Sequence, residues 1–185
     1  MNSIASDTAA LTGTWTVDPS HSTVGFAVKH LGIATVRGKF EQFEGTFEIG
    51  DELSSARAYG TVQAASIDTN DSGRDEHLRS ADFFGVEANP ELRFESIAIR
   101  PVDEETLEVE GNLTMNGITK PITLTAEIQG TETDPWGNDR VGLELSGQLN
   151  RGDWNMTFNQ ALGSGNLLVG EKVKLSLDIS AVKSA

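Results

Sequence analysis

The run VGEKVKLSLDISA (residues 169–181) decides the fold class, because its apolar residues keep one parity over thirteen positions. Side chains of a β-strand alternate between its two faces, so this spacing predicts a long strand with one apolar and one wet face. Glu171 alone breaks the apolar parity. A strand of this kind is typical of an antiparallel sheet that covers a core on one side.

The same alternation recurs through the rest of the chain. Apolar parities run from Leu107 to Met115, from Ile122 to Ile128 and from Val141 to Leu149. Further strands are predicted at 14–18, 21–31, 40–49, 56–67 and 92–101, which gives eight or nine in all. The apolar parity changes near Glu95 and Ser96, and this predicts a β-bulge.

Short polar connections indicate that the strands are antiparallel neighbours. MNGITKP (115–121) places Asn-Gly between two alternating runs, and VDEET (102–106) and DPWGNDR (134–140) join two other pairs. One stretch, SGRDEHLRSADFF (72–84), predicts a short helix, with Ser72 as its N-cap and Asp75 in its first turn. Because open edges of long strands invite aggregation, we expect an all-β, antiparallel barrel.

Composition narrows the function. The formal net charge of -14 repels nucleic-acid phosphates and anionic lipid surfaces. The chain has no cysteine, which excludes disulfides and thiolate chemistry. Residues 1–13 lack the basic start and apolar stretch of a secretory signal, and no segment has the ~20 apolar residues that cross a bilayer. We expect a cytoplasmic protein with a flexible N-terminus (1–13) and a single domain (14–185), and the sequence leaves the choice between monomer and homodimer open.

The histidines are the first candidates for a site. His30 shares a strand face with Val24, Phe26 and Val28, so we expect it to be buried, either hydrogen-bonded in a core or bordering a ligand site. His21 follows an Asp-Pro-Ser turn and is expected to close that turn.

Catalytic and metal sites are weakly indicated. Asp18 lies near His21, and Asp75 lies near His77, but neither pair has the spacing of a known catalytic motif. Three histidines without cysteine or paired ligand spacing predict no metal site and no cofactor.

The distribution of aromatic residues leaves the interior unresolved. Aromatic side chains gather in the first half and near residues 154–158, whereas the last four strands carry aliphatic residues and glycine. An eight-stranded barrel is either filled by its own side chains or holds one small ligand, and both alternatives remain open at this point. Phe83 and Phe84 follow the predicted helix and form either a portal for an apolar ligand or a plug.

Four stretches together resemble the YceI-like family of polyisoprenoid-binding, lipocalin-like proteins. They are WTVDPSHSTVGFAVKHLGIATVRGKFEQFEG (15–45), RDEHLRSADFF (74–84) followed by PELRFES (90–96), GNLTMNGITKPITL (111–124) and NRGDWNM (150–156). The resemblance implies an eight-stranded antiparallel barrel, a helix over one opening, and a long apolar pore that holds an isoprenoid or another long-chain lipid. Asn155 departs from the family pattern, which commonly has glycine there.

The resemblance also implies site residues. The expected ligand-binding residues are Phe26, Val28, His30, Phe43, Phe47, Phe83, Phe84, Phe94, Trp154, Met156 and Phe158. The candidates for contact with a polar head group, besides His30, are Arg37, Arg74 and His77. The implied function is storage or transport of a polyisoprenoid, an isoprenoid quinone or a related lipid. The alternatives are a hydrolase or isomerase that acts on an apolar substrate through His30 or His77, and a structural barrel with a filled core.

Overall fold

The computed structural model describes residues 11–184, which form eleven strands and one α-helix. The strands are β1 (Gly13–Val17), β2 (Thr23–His30), β3 (Ala34–Phe40), β4 (Phe43–Ile49), β5 (Arg57–Gln63), β6 (Ile67–Asp68), β7 (Glu91–Pro101), β8 (Thr106–Met115), β9 (Ile118–Thr133), β10 (Asp139–Asn150) and β11 (Val169–Lys183). The helix, α1, is Ser72–Arg79.

The six short N-terminal strands combine in pairs into three long, interrupted strands. β1 and β2 both pair with β11 and together form one interrupted strand. On their other side, β2 pairs with β3 and β1 pairs with β4, so β3 and β4 form the next one. β5 continues the sheet beside β4, and β6 makes a two-residue pairing with β3. Each break lets the chain bend, as a curved sheet requires.

The strands close into an eight-stranded antiparallel β-barrel. Beyond β5 the sheet runs through β7, β8, β9 and β10 to β11, and β11 pairs with β1 and β2 to complete the ring. This confirms the predicted fold class. Within residues 11–184, no helix has the length and apolar character that spanning a membrane requires.

The connections follow the sequence prediction closely. Asn116 and Gly117 both have positive φ and join β8 to β9 in a tight hairpin. The predicted bulge lies between Ser96 and Ala98, one residue beyond its expected place. The sequence prediction omitted β3, since ATVRGKF (34–40) alternates only weakly.

The cap of α1 differs from the prediction. Its N-cap is Asp71, whose carboxylate accepts a hydrogen bond from the Arg74 backbone N–H, and Ser72 is the first helical residue. The Asp75 side chain is buried and accepts hydrogen bonds from the backbone N–H and the hydroxyl of Thr69 at 2.8 and 2.5 Å. Asp75 thus ties the helix to the end of β6.

The two ends of the barrel are closed differently. The helix end has α1, the β2–β3 turn and the loop at 156–168. The opposite end, which we call the Trp15 end, is filled by a cluster of Leu11, Trp15, Val141 and Ala181. The Trp15 indole N–H donates to the Leu11 carbonyl oxygen at 2.8 Å. Residues 1–10 of the expected flexible N-terminus (1–13) lie outside the described residues. Leu11 packs in this cluster.

Candidate functional site

An apolar cavity of about 330 Å³ occupies the interior of the barrel. Its wall is almost entirely apolar, and all of the long strands contribute to it. Along β11 the lining extends from Val169 to Ile179, which corresponds to about 33 Å of strand and, at a strand tilt of about 40°, to about 25 Å along the barrel axis. The barrel is therefore not filled by its own side chains.

Inward-facing glycines keep part of this interior open. Gly38 and Gly111 each lie under an aromatic ring, of Phe26 and Phe94 respectively, and a Cβ at either glycine would collide with that ring. The rings can therefore lie flat against the wall. Because a larger residue would push them toward the barrel axis, these glycines preserve cavity space.

A second pair of glycines thins the wall between β4 and β5. Gly45 and Gly60 are direct cross-strand partners, and both line the cavity. Their outward-facing neighbours Glu44 and Thr61 also border it, although the Thr61 hydroxyl donates to the Glu44 carboxylate on the outside. Since those side chains point outward, their backbone forms this part of the wall.

The helix end of the cavity is covered by α1 and the segment that follows it. Leu78, Phe83 and Phe84 all line the cavity from this side. The Phe84 ring meets Phe40 edge-on at a centroid distance of 5.7 Å, and Phe83 lies 5.5 Å from Phe158 of the loop at 156–168. Phe83 and Phe84 thus cover the mouth, where the resemblance placed them.

Most of the expected pore-wall residues line the cavity. Those that do are Phe26, Val28, Phe43, Phe47, Phe94 and Met156. Trp154 and Phe158 do not. Trp154 is buried in the wall, and its indole N–H donates to the Leu113 carbonyl oxygen at 3.0 Å. Phe158 packs behind Phe83 against the His77 ring. Both residues support the wall from outside the cavity.

The prediction that His30 is buried is wrong. His30 is the last residue of β2 and is exposed, because its strand reaches the rim of the barrel there. It does not line the cavity. Strand parity gives the face of a strand on which a side chain lies, but at the rim of a barrel even the inner face is open to solvent. Arg37 is also exposed, on the outer face of β3.

Two other head-group candidates lie outside the cavity wall. The Arg74 guanidinium donates to the hydroxyl and carbonyl oxygens of Thr69 at 2.7 and 2.6 Å, so it braces α1. His77 is 42% exposed, with its Nε2 2.9 Å from an Asp82 carboxylate oxygen and its ring edge-on to Phe83 and Phe158. His77 therefore joins the helix to the loop at 156–168 behind the cavity lining.

The cluster around Asp18 is a structural brace. His21 Nδ1 lies 2.8 Å from Asp18 Oδ2 and 3.1 Å from Ser20 Oγ, so both partners share one ring nitrogen. A nucleophile and an orienting acid occupy opposite ring nitrogens in a catalytic triad. Hydrogen bonds from Ser20, His21 and Arg140 hold the pKa of Asp18 well below its ordinary value.

Arg140 connects this cluster to the β9–β10 turn. Its Nε donates to Asp134 Oδ2 at 2.8 Å, and its Nη1 donates to Asp18 Oδ2 at 2.9 Å. Hydrogen bonds from Arg140, and from Asn138 and Trp136, lower the pKa of Asp134 to about 2. As the turn prediction proposed, His21 ends a 3-10 turn at Pro19–His21. Among residues 11–184, no group of acidic residues and histidines is arranged to hold a metal ion.

Arg151 is the side chain that the sequence interpretation missed. It is 4% exposed and lines the helix end of the cavity. Its Nε donates to Gly170 O at 2.8 Å, its Nη1 to Met156 O at 2.6 Å and its Nη2 to Val169 O at 3.2 Å. Burial lowers the pKa of Arg151, and the charge of Glu171 opposes that effect.

Asn155 directly follows the 3-10 turn Arg151–Trp154. It adopts the left-handed conformation at φ 58°, and its backbone N–H donates to the Gly152 carbonyl oxygen. Glycine is the usual residue in this conformation, and asparagine is among the few others that tolerate it. The departure at Asn155 thus leaves the turn in the geometry that glycine would favour.

Comparison with known proteins identifies the family. The model of the YceI-like domain matches residues 15–181. The chain belongs to the YceI-like family. Protein YceI of Salmonella arizonae is 38% identical over 164 residues, which cover 88% of this chain and 82% of that protein.

Solved structures share this fold. BcnA of Burkholderia cenocepacia superposes with a TM-score of 0.77 at 19% identity, covering 89% of this chain and 98% of that one. A polyisoprenoid-binding domain from Saccharophagus degradans, implicated in plant cell wall breakdown, gives a TM-score of 0.71 at 12% identity, covering 92% and 98%. At these identities the likeness concerns the fold alone.

Proposed function

We propose that this YceI-like protein binds a long-chain apolar ligand, such as a polyisoprenoid or an isoprenoid quinone, inside the barrel for storage or transport. The observation that carries the proposal is the apolar cavity, which extends for about 25 Å along the barrel axis. Because the cavity is elongated, an extended chain can fill it along the barrel axis. The description of the Saccharophagus degradans domain as polyisoprenoid-binding supports the same assignment.

The energetics favour a flexible hydrocarbon chain. Each methylene transferred from water to the cavity contributes about 0.8 kcal/mol before the chain loses conformational freedom. A chain that fills the cavity therefore binds without a catalytic group or a cofactor. The alternative of a hydrolase or isomerase relied on a buried histidine, and His30 and His77 both lie outside the cavity wall.

The test is uptake of a neutral polyprenol by delipidated protein, with a matched pair of variants. Ala58→Trp places an indole in the cavity, since Ala58 lines it opposite Phe47. Ile97→Trp adds the same side chain at an exposed position outside the cavity. We expect one chain to bind per wild-type protein, with at least tenfold weaker binding in Ala58→Trp and no change in Ile97→Trp.

Native mass spectrometry gives the stoichiometry, and quenching of intrinsic tryptophan fluorescence gives the affinity. Failure of the wild-type protein to take up any polyprenol would contradict the proposal. Equal binding by wild type and Ala58→Trp would place the ligand somewhere other than the cavity.

A further inference from the structure

Arg151 is a buried cation without an anionic partner. Around it, within residues 11–184, no carboxylate comes within ion-pair distance of its guanidinium. The other arginines that border the cavity, Arg57 and Arg93, are exposed and pair with glutamates on the outer surface. Among the described residues, Arg151 is the one that brings a buried positive charge to the cavity.

The hydrogen bonds of Arg151 leave part of its capacity unused. A guanidinium has five N–H donors, and three of them bond to the carbonyl oxygens of Met156, Val169 and Gly170. One N–H on each terminal nitrogen has no acceptor among the described residues. Two such donors in one plane match the two oxygens of a carboxylate or a phosphate.

The surroundings of Arg151 favour an anion. The guanidinium lies 5.8 Å from the centre of the Phe83 ring, under the segment that covers the mouth. A buried charge that lacks a counter-ion is costly, and three neutral carbonyls offset that cost only in part. An anionic group at this position would restore neutrality where water is largely excluded. Glu171 is the acidic residue whose charge acts on Arg151, and it is exposed.

We propose that Arg151 is the head-group site of the cavity and that the ligand is a single-chain lipid with an anionic carboxylate or phosphate head. The head lies at the helix end beneath Phe83, and the tail runs toward the Trp15 end. This inference rests on the proposed function, since it assumes that the cavity takes up a chain. Arg151 takes the place of Arg37, Arg74, His30 and His77 as the expected head-group contact.

The experiment compares chains that differ only in the head group. Delipidated wild-type protein is titrated with a long-chain carboxylate, the matching monophosphate, the primary alcohol and the trimethylammonium compound. Charge-assisted hydrogen bonds predict about 10- to 100-fold tighter binding of the two anions than of the alcohol. The trimethylammonium compound is expected to bind more weakly than the alcohol.

Arg151→Gln is expected to remove the preference for anions while alcohol binding remains within threefold of wild type. The matched control is Arg79→Gln, because Arg79 also donates to backbone carbonyls, those of Ala65 and Ile67, but does not line the cavity. Arg79→Gln should keep the preference. Loss of the preference in both variants would show that it reflects loop structure and would overturn the assignment.

A second measurement uses wild-type protein alone, so it does not depend on how Arg151→Gln folds. The carboxyl carbon of the bound chain is labelled with ¹³C, and its chemical shift is followed against pH. Contact with Arg151 predicts that the pKa of this carboxyl lies below its value in water. An unshifted or raised pKa, or equal affinity for carboxylate and alcohol, would overturn the inference and leave the proposed function standing. Absence of binding by all four chains would overturn both.

Discussion

Filling the cavity should stabilise the ligand-free protein, and Ala58→Leu is the substitution that tests this. Ala58 lies in β5, faces inward opposite Phe47 and retains exposed surface because it borders the cavity. Three added carbons contribute about 2.4 kcal/mol at 0.8 kcal/mol per carbon if fully buried. Ordering a leucine side chain costs about 0.5–1 kcal/mol. Because the cavity surrounds the new carbons only partly, we expect a net gain of about 1 kcal/mol.

The matched control is Ala181→Leu. Ala181 also faces inward, but it is 0% exposed within the Trp15 cluster. Added carbons have no free space there, so overpacking should cost about 1–3 kcal/mol. The same chemical change is therefore expected to have opposite effects at two inward positions of one barrel.

The assay is urea denaturation of delipidated protein, followed by tryptophan fluorescence, with the free energy of unfolding from linear extrapolation. Delipidation matters, because a bound chain stabilises the native state and competes with the new side chain. A loss of stability in Ala58→Leu equal to that in Ala181→Leu would refute the reasoning, since it would mean that the interior at Ala58 is already filled.

Two further substitutions test the surface brace and the wall. Arg140→Gln should lower the free energy of unfolding near neutral pH. The difference from wild type should shrink as the pH falls from about 4 toward 2, because the lowered pKa of Asp134, about 2, stabilises the protein above the unfolded pKa and this stabilisation is lost on protonation. Urea midpoints of both proteins, measured against pH, give the difference. Gly111→Ala should cost about 1–3 kcal/mol, because its Cβ collides with the Phe94 ring, whereas Gly163→Ala, with no atom within 4 Å of its Cβ, should change the unfolding midpoint little.

Strand periodicity predicted the fold because a half-buried antiparallel strand alternates apolar residues on its buried face with polar residues on its exposed face. The parities that begin at Leu107, Ile122 and Val141 match the inward faces of β8, β9 and β10. The pattern did not predict β3, because Gly38 lies at an inward position under the Phe26 ring and interrupts the apolar alternation. A glycine that leaves room for a ring is not counted as an apolar residue in a periodicity pattern.

The site was harder to predict than the fold. Burial of Arg151 depends on the carbonyls of Met156, Val169 and Gly170, which meet only after the loop at 156–168 has folded back. No local pattern encodes that meeting. The available signal is an arginine directly after a strand, five residues before Met156, whose side chain lines the cavity. The sequence interpretation took NRGDWNM as part of the family resemblance and expected Trp154 and Met156, not Arg151, at the site. His30 failed for a related reason, because strand parity gives the face but not the distance from the rim.

The up-and-down order of the barrel has a consequence for how the protein folds. Most strand pairings join segments that are close in the chain and so close short loops, but Phe26 of β2 must pair with Leu175 of β11. Loop-closure entropy grows by about 0.6 kcal/mol per doubling, so a loop of about 150 residues costs about 2.4 kcal/mol more to close than one of about ten. The joining of the first and last strands is thus the kinetically disfavoured step, and we expect it to complete folding after the hairpins have formed. Until then the chain is a curled, open sheet with two free edges and no enclosed interior.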